Sequence, residues 1–176
     1  MDEIKIIDAV PEDARGIVEV LHQTWLSTYP NEELGITKED IDESYRDSYK
    51  AENILNQQKK IKELSKNKKK MVAKTGQKII AAATMIRNEE FNELITLYVL
   101  PEYQGNGIGT RLWNEVSKIC DPTKDIIVHV VTYNKQAIDF YKKCGFVDTG
   151  KRFTNEQIYK RRNITLPEME MVIQGN

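Results

Sequence analysis

A nearly continuous apolar run, Leu94-Ile95-Thr96-Leu97-Tyr98-Val99-Leu100, ends at Pro101 and is followed by Gln104-Gly105-Asn106-Gly107-Ile108-Gly109. Beyond it Ile108, Leu112, Val116 and Ile119 recur at about helical period. The order is strand, glycine-rich turn, helix. The run predicts a central strand buried on both faces, and the recurrence predicts an amphipathic helix over Gly107 to Ile119. Alternating glycines permit dihedrals barred to other residues and let backbone amides approach a ligand with no side chain between. Several N–H groups can then converge on an anion, with the positive end of the helix dipole behind them, so a phosphate is the expected ligand.

Two familiar phosphate loops do not match the spacing. A P-loop ends in Gly-Lys-Ser/Thr, whereas Gly109 is followed by Thr110-Arg111; a dinucleotide fingerprint wants a small residue three places after Gly107, where Thr110 stands. For the glycines alone, a purely structural strand-to-helix corner is the competing reading.

Around this unit the pattern is that of an α/β chain. Ile4 to Val10 is short and β-branched and predicts an N-terminal strand closed by Pro11; Ile17, Val18, Leu21 and Trp25 predict a helix after it. From Thr28 to about Lys70 helices with an intervening loop are expected, with Thr37-Lys38-Glu39-Asp40 as a cap and the lysines of 66–70 as a solvated helix end. Met71 to Lys74 and Lys78 to Ile86 predict a hairpin, its second strand weakened by alanines. Ile126 to Thr132 predicts a second buried strand. Ala137, Phe140, Tyr141 and Cys144 form one face of a short helix stopped by Gly145, and Phe146 to Phe153 and Glu168 to Ile173 close the chain as strands. With no internal repeat or linker, residues 1–176 are expected to form one domain, a mixed sheet with helices on both faces.

Composition narrows the partners. A formal net charge of -1 offers no sequence-wide pull toward nucleic acid or anionic lipid. No aromatic residues interleave the lysines of 66–70, so no nucleic-acid partner is expected. No run approaches the ~20 apolar residues of a membrane span, the start lacks a signal-peptide core, and Cys120 and Cys144 have no paired spacing; a cytoplasmic protein with reduced thiols is expected.

The run from Leu97 through Thr110 resembles the acetyl-CoA-binding motif of the GNAT N-acetyltransferase superfamily, written Arg/Gln-x-x-Gly-x-Gly/Ala, which Gln104, Gly107 and Gly109 meet. Some thirty residues later Asn134, Ala137, Phe140-Tyr141 and Gly145-Phe146 resemble the family's second motif. The specific likeness covers residues 94–147; Glu12 to Lys70 is generic. The resemblance implies an α/β GNAT fold: a mostly antiparallel sheet of six to seven strands, splayed in the middle, between the strands ending at Leu100 and Thr132. It also implies acetyl-CoA as co-substrate, with no metal.

Carried onto this chain, the resemblance implies that the amides of Gln104, Gly105, Asn106, Gly107, Ile108, Gly109 and Thr110 hold the pyrophosphate. The backbone of Leu97 and Val99 would pair with the pantetheine arm, and an N–H near Tyr98 would face the acetyl oxygen. Asn134 would bond the pantetheine, a role compatible with capping a helix. Tyr141 would protonate the departing thiolate; by periodicity alone it reads as a core aromatic. Glu93 occupies the place of a catalytic glutamate in some members and is the expected base, against the reading of a solvated strand end. His129, within an apolar strand, and His22 read as satisfied core histidines.

Glu32, Glu33, Glu39, Asp40, Asp42 and Glu43 lie in what the resemblance makes the acceptor-side wall, and could attract a cationic amine such as a polyamine or amino sugar. A solvated acidic face is the alternative. The expected activity is therefore direct acetyl transfer to a primary amine, in a monomer or a homodimer. Protein N-terminal or lysine acetylation, and a non-catalytic acyl-CoA-binding module, are the rival readings.

Overall fold

A computed structural model of the chain describes residues 3–159 and 164–176. Its elements are β1 (Ile4–Asp8), α1 (Ala14–Thr28), α2 (Lys38–Arg46), α3 (Ala51–Lys62), β2 (Lys68–Thr75), β3 (Lys78–Arg87), β4 (Asn92–Val99), α4 (Ile108–Val116), β5 (Ile126–Val131), α5 (Lys135–Lys143), β6 (Val147–Tyr159) and β7 (Ile164–Ile173). The seven strands form one sheet in the order β1-β2-β3-β4-β5-β7-β6. Neighbours are antiparallel except β4 and β5, which run parallel.

The parallel pair is also where the sheet opens. It holds only Asn92↔Ile126, Glu93↔Ile127 and Leu94↔Val128. Past that point β4 continues along β3 while His129 to Val131 continue along β7. Thr84 faces Thr96 and Met85 faces Leu94, so Ile95 is an extra residue on β4, a bulge that turns the strand away from β5 at the last shared pair. The closed end is clamped by Asn92, which is fully buried. Its amide nitrogen donates to the carbonyls of Asp121 and Lys124 at 3.0 and 3.1 Å, and its oxygen accepts from the Asp121 amide at 2.9 Å. The loop before β5 is thus tied to the start of β4.

Helices cover both faces. The Tyr98 hydroxyl lies 3.3 Å from that of Tyr29, just after α1, whereas the adjacent Leu97 packs beside Gly109 of α4. Successive strand residues point to opposite faces, so α1 and α4 lie on opposite sides of β4. The main core joins β2, β3 and β4 to Ile108, Leu112, Trp113 and Val116 of α4 and to Ile17 and Val20 of α1. Ala81, Ala82 and Ala83, expected to weaken their strand, are buried to 1% exposure or less; small side chains let helices approach the sheet centre from both sides. Thr37 caps α2 through a capping box with Asp40, as its spacing predicts.

Two expectations need correction. Lys68, Lys69 and Lys70 do not end a helix: they open β2, between β1 and β3, because α3 stops at Lys62 and the strand register continues from Met71 back to Lys68. β4 is not buried on both faces throughout, since Ile95 is 44% exposed and Thr96 to Tyr98 are half-buried where β5 has diverged. Among the described residues no helix is long and apolar enough to cross a membrane.

Candidate active site

The diverging strands bound a cavity of about 840 Å³. Its walls are β4 from Glu93 to Val99, the glycine turn at Gln104, Gly105 and Gly107 to Thr110, β5 from Val128 to Val131, one face of α5, and Leu21, Thr24, Trp25 and Tyr29 from α1 and its end; Asn106 is not in the wall, its side-chain nitrogen donating back to the Tyr103 and Gln104 carbonyls. The two sequence motifs, some thirty residues apart, therefore face one space.

At one end of this space is the glycine turn. Gly105 and Gly107 have φ of +76° and +73°, a backbone region that side chains resist, and a Cβ on either would meet nothing within 4 Å. Both residues therefore serve the course of the main chain and leave the space above it open. Gly107 is the N-cap of α4 and no side chain caps that end, so its first amides have neither intrahelical nor side-chain partners. Gly109 has a different reason: a Cβ there would stand 3.3 Å from Phe140 Cε2, so the glycine lets α5 pack against α4. An open, uncapped, positively polarised helix start fits a phosphate group.

Gln104 departs from its expected role. Its amide donates to the Pro101 carbonyl at 3.2 Å, and is not among the free donors. Its side-chain nitrogen donates to the Val99 carbonyl at 2.9 Å, and its oxygen accepts from Gln136 Nε2 at 2.9 Å. Gln104 thereby braces the end of β4 against the start of α5. Asn134 caps α5, its oxygen accepting from the Ala137 amide at 3.1 Å, and lines the cavity as well.

Tyr141 is 7% exposed, its ring 5.4 Å from Phe140 and 5.5 Å from Phe146. Burial, and then the neighbouring Tyr98 hydroxyl, push its own hydroxyl well above the ordinary phenol range, so it holds its proton at neutral pH. Burial likewise raises Tyr98 and Tyr29. Leu97, Tyr98 and Val99 all line the cavity, with the Val99 carbonyl already accepting from Gln104.

Glu93 lines the cavity from the last stretch where β4 still pairs with β5. His129 is not a core residue. It lines the cavity with its side chain 37% exposed, its Nε2 3.7 Å from Glu170 Oε2, and its ring edge-on to Phe153 at 4.8 Å. Strand alternation was the available signal: Val128 and Val130 turn into the core and the residue between them faces the other way. His22 is satisfied as expected, between the Tyr49 hydroxyl at 3.0 Å and Asp42 at 2.8 Å. None of Glu32, Glu33, Glu39, Asp40, Asp42 and Glu43 lines the cavity, and Asp40 is buried in its capping box. Among the described residues the carboxylates that do line it are Glu93 and Glu168, the latter 8% exposed on β7. Nothing in the generic stretch around Tyr29, or in isolated Glu168 and Gln136, marked them as cavity residues in the sequence.

A family model described as the acetyltransferase (GNAT) domain matches residues 29–171. The chain is 41% identical over 80 residues to N-alpha-acetyltransferase 50 of Danio rerio, covering 43% of this chain and 45% of that protein. It is 35% identical over 54 residues to thialysine N-epsilon-acetyltransferase of Bos taurus, covering 30% and 32%. The matched stretches span less than half of either relative. PaiA N-acetyltransferase from Thermoplasma acidophilum, solved in complex with coenzyme A, has the same fold with a TM-score of 0.70 at 23% identity, over 98% of this chain and 99% of that one. A GNAT-family acetyltransferase from Streptococcus pneumoniae superimposes with a TM-score of 0.68 at 21% identity, over 97% and 99%.

Proposed function

The chain belongs to the GNAT acetyltransferase family, and on that premise we propose that it moves an acetyl group from acetyl-CoA to a primary amine by direct attack in a ternary complex. One observation carries the reading. The sheet opens at Leu94↔Val128 onto a single cavity that has uncapped amides at one end and Tyr141 and Glu93 in its walls.

In this reading the amides of Gly105 to Thr110 hold the pyrophosphate, and Asn134, whose oxygen is committed to the cap, offers its side-chain N–H groups to the pantetheine. The backbone of Leu97 and Val99, turned away from β3, flanks the pantetheine arm as an adjoining strand would, with a backbone N–H near Tyr98 on that same side facing the thioester oxygen. A fixed donor there does most when negative charge develops on that oxygen. Tyr141, kept protonated by burial, gives its proton to the sulfur as the carbon–sulfur bond breaks. Glu93 draws an ammonium group to the apex of the opening, and Glu168 adds a second negative charge. A small cationic amine, such as a polyamine, is the acceptor this charge favours.

A peptide amino terminus is the second reading, favoured by the likeness to N-alpha-acetyltransferase 50. The test is thiol release from acetyl-CoA with spermidine, an aminoglycoside and short peptides as acceptors. Turnover with spermidine or the aminoglycoside is expected; activity confined to peptides refutes the small-amine acceptor. Coenzyme A binding without thiol release for any amine refutes catalysis and leaves a binding module.

A further inference from the structure

The three lysines that open β2 do not share one environment. Strand alternation sends Lys69 to one face of the sheet, where Asp8 of β1 lies at 3.5 Å, and Lys68 and Lys70 to the other. Lys60 of α3 stands close enough to act on Lys70 together with Lys68. Among the described residues no carboxylate or other acceptor pairs with the ammonium of Lys60, Lys68 or Lys70. Directly opposite Lys70 on β3, and on the same face, is Thr84, which is 2% exposed and whose hydroxyl has no hydrogen-bond partner among the described residues.

Each of these features is unfavourable alone: a buried hydroxyl without a partner, and a partly buried amine crowded by two like charges. Together they are the complement of a carboxylate-like group, one hydroxyl donor inside the sheet and two cations beside it. A negative charge at the tip of Lys70 answers all of them. Addition of carbon dioxide to the amine creates one, and it has two requirements. The first is free amine. Burial, then the Lys68 and Lys60 charges, bring Lys70 down to about 8, so at pH 8 roughly half of it is free amine, against less than about 1% of an ordinary lysine. The second is a small electrophile, because Lys70 is only partly exposed.

We propose that Lys70 is a reversible carbamylation site, its Nζ taking up carbon dioxide to form a carbamate that accepts from the Thr84 hydroxyl and pairs with Lys68 and Lys60. The inference is independent of the acetyl-transfer reading. The step balances. The Nζ lone pair forms the C–N bond to the carbon of carbon dioxide, one C–O π pair moves onto its oxygen, and nitrogen releases one proton to solvent. Nothing is oxidised or reduced. Three converging positive charges become two that flank one negative charge. Only the folded chain assembles this cluster, so carbon dioxide stabilises the fold as any ligand of the native state does.

The test equilibrates the full chain with isotope-labelled bicarbonate and dissolved carbon dioxide, traps protein carbamates by alkylation, and locates them by peptide mass mapping. An adduct on Lys70 is expected, and it grows between about pH 7 and pH 8 at fixed dissolved carbon dioxide as the amine loses its proton. Thr84→Val keeps the side-chain shape and removes the hydroxyl. It should raise the carbon dioxide concentration for half-modification by about tenfold or more, the loss of one hydrogen bond to a charged group. Thermal denaturation is the second readout: bicarbonate should raise the Tm of wild type above that in chloride at equal ionic strength and pH, and leave Lys70→Met unmoved. Adducts confined to the amino terminus or to other lysines overturn the proposal, as does a half-modification point that Thr84→Val leaves unchanged. So does a gain in Tm that chloride reproduces or that Lys70→Met retains, which marks a general salt effect.

Discussion

Gly107→Ala separates the conformational role of the turn from its ligand role. The residue sits at φ +73°, where a Cβ costs about 1–2 kcal/mol. A stiffer unfolded chain returns about 0.4–1 kcal/mol. Nothing lies within 4 Å of the added methyl, so no clash enlarges the difference, and a net loss of about 1 kcal/mol is expected. For a chain of this size that lowers Tm by roughly 2–4 °C. Coenzyme A binding should suffer more. Relaxing the strain rotates the amides at the start of α4, and each lost bond to a charged group is worth about 1.5–3 kcal/mol, a weakening of about 10- to 150-fold. Gly35→Ala is the control: its φ is +66°, its Cβ is equally unobstructed, and it lies outside the cavity wall. It should show the same fall in Tm and an unchanged Kd. Calorimetric titration with coenzyme A beside thermal denaturation reads both. If the two variants lose the same stability and Gly107→Ala still binds coenzyme A as wild type does, the turn amides do not carry the phosphate.

Tyr141→Phe keeps the ring between Phe140 and Phe146 and removes only the hydroxyl, so kcat should fall by about 10²–10⁴-fold with coenzyme A affinity unchanged; unchanged turnover removes Tyr141 from the chemistry. Asn92→Ala strips partners from buried groups of the Asp121–Lys124 loop and should cost about 1–3 kcal/mol in urea denaturation. Burial, then Lys68 and Lys60, lower Lys70 to about 8. Between that value and the ordinary lysine range the unfolded chain binds the extra proton, so this group's penalty is full below pH 8 and fades as pH rises. Lys70→Met should therefore be more stable than wild type at pH 7, by a few kcal/mol at most, roughly, with the gap closing by pH 10; a gap independent of pH contradicts the assignment.

Much of the fold was legible because the apolar pattern matched the element periods: Leu94 to Leu100 as a strand, Ile108 to Val116 as a helix, Thr37 with Asp40 as a cap. The lysines of β2 were not, since a strand between two others normally carries apolar residues, and only pairing with Ile86, Met85 and Thr84 reveals them. The glycine turn and α5 announced themselves through glycine and capping chemistry, which is local. The acceptor side did not. Tyr29, His129, Glu168 and Glu170 come from three separate segments, and their meeting depends on β7 inserting between β5 and β6, a topology no local signal encodes. The acidic stretch near Glu39 misled for the same reason: its charge is local, while its position relative to the cavity is set by how α2 packs. Gln104 shows the finer limit, since the motif position was readable but the commitment of its amide to Pro101 was not.

The account depends on main-chain amides at the start of α4 gripping a diphosphate. Amide chemical shifts followed by NMR during titration with coenzyme A test this residue by residue. The account predicts the largest changes at Gly105 to Thr110, with Gln104 moving less because its amide stays bonded to Pro101. Saturable binding that leaves those six amides unmoved while signals elsewhere shift would contradict it.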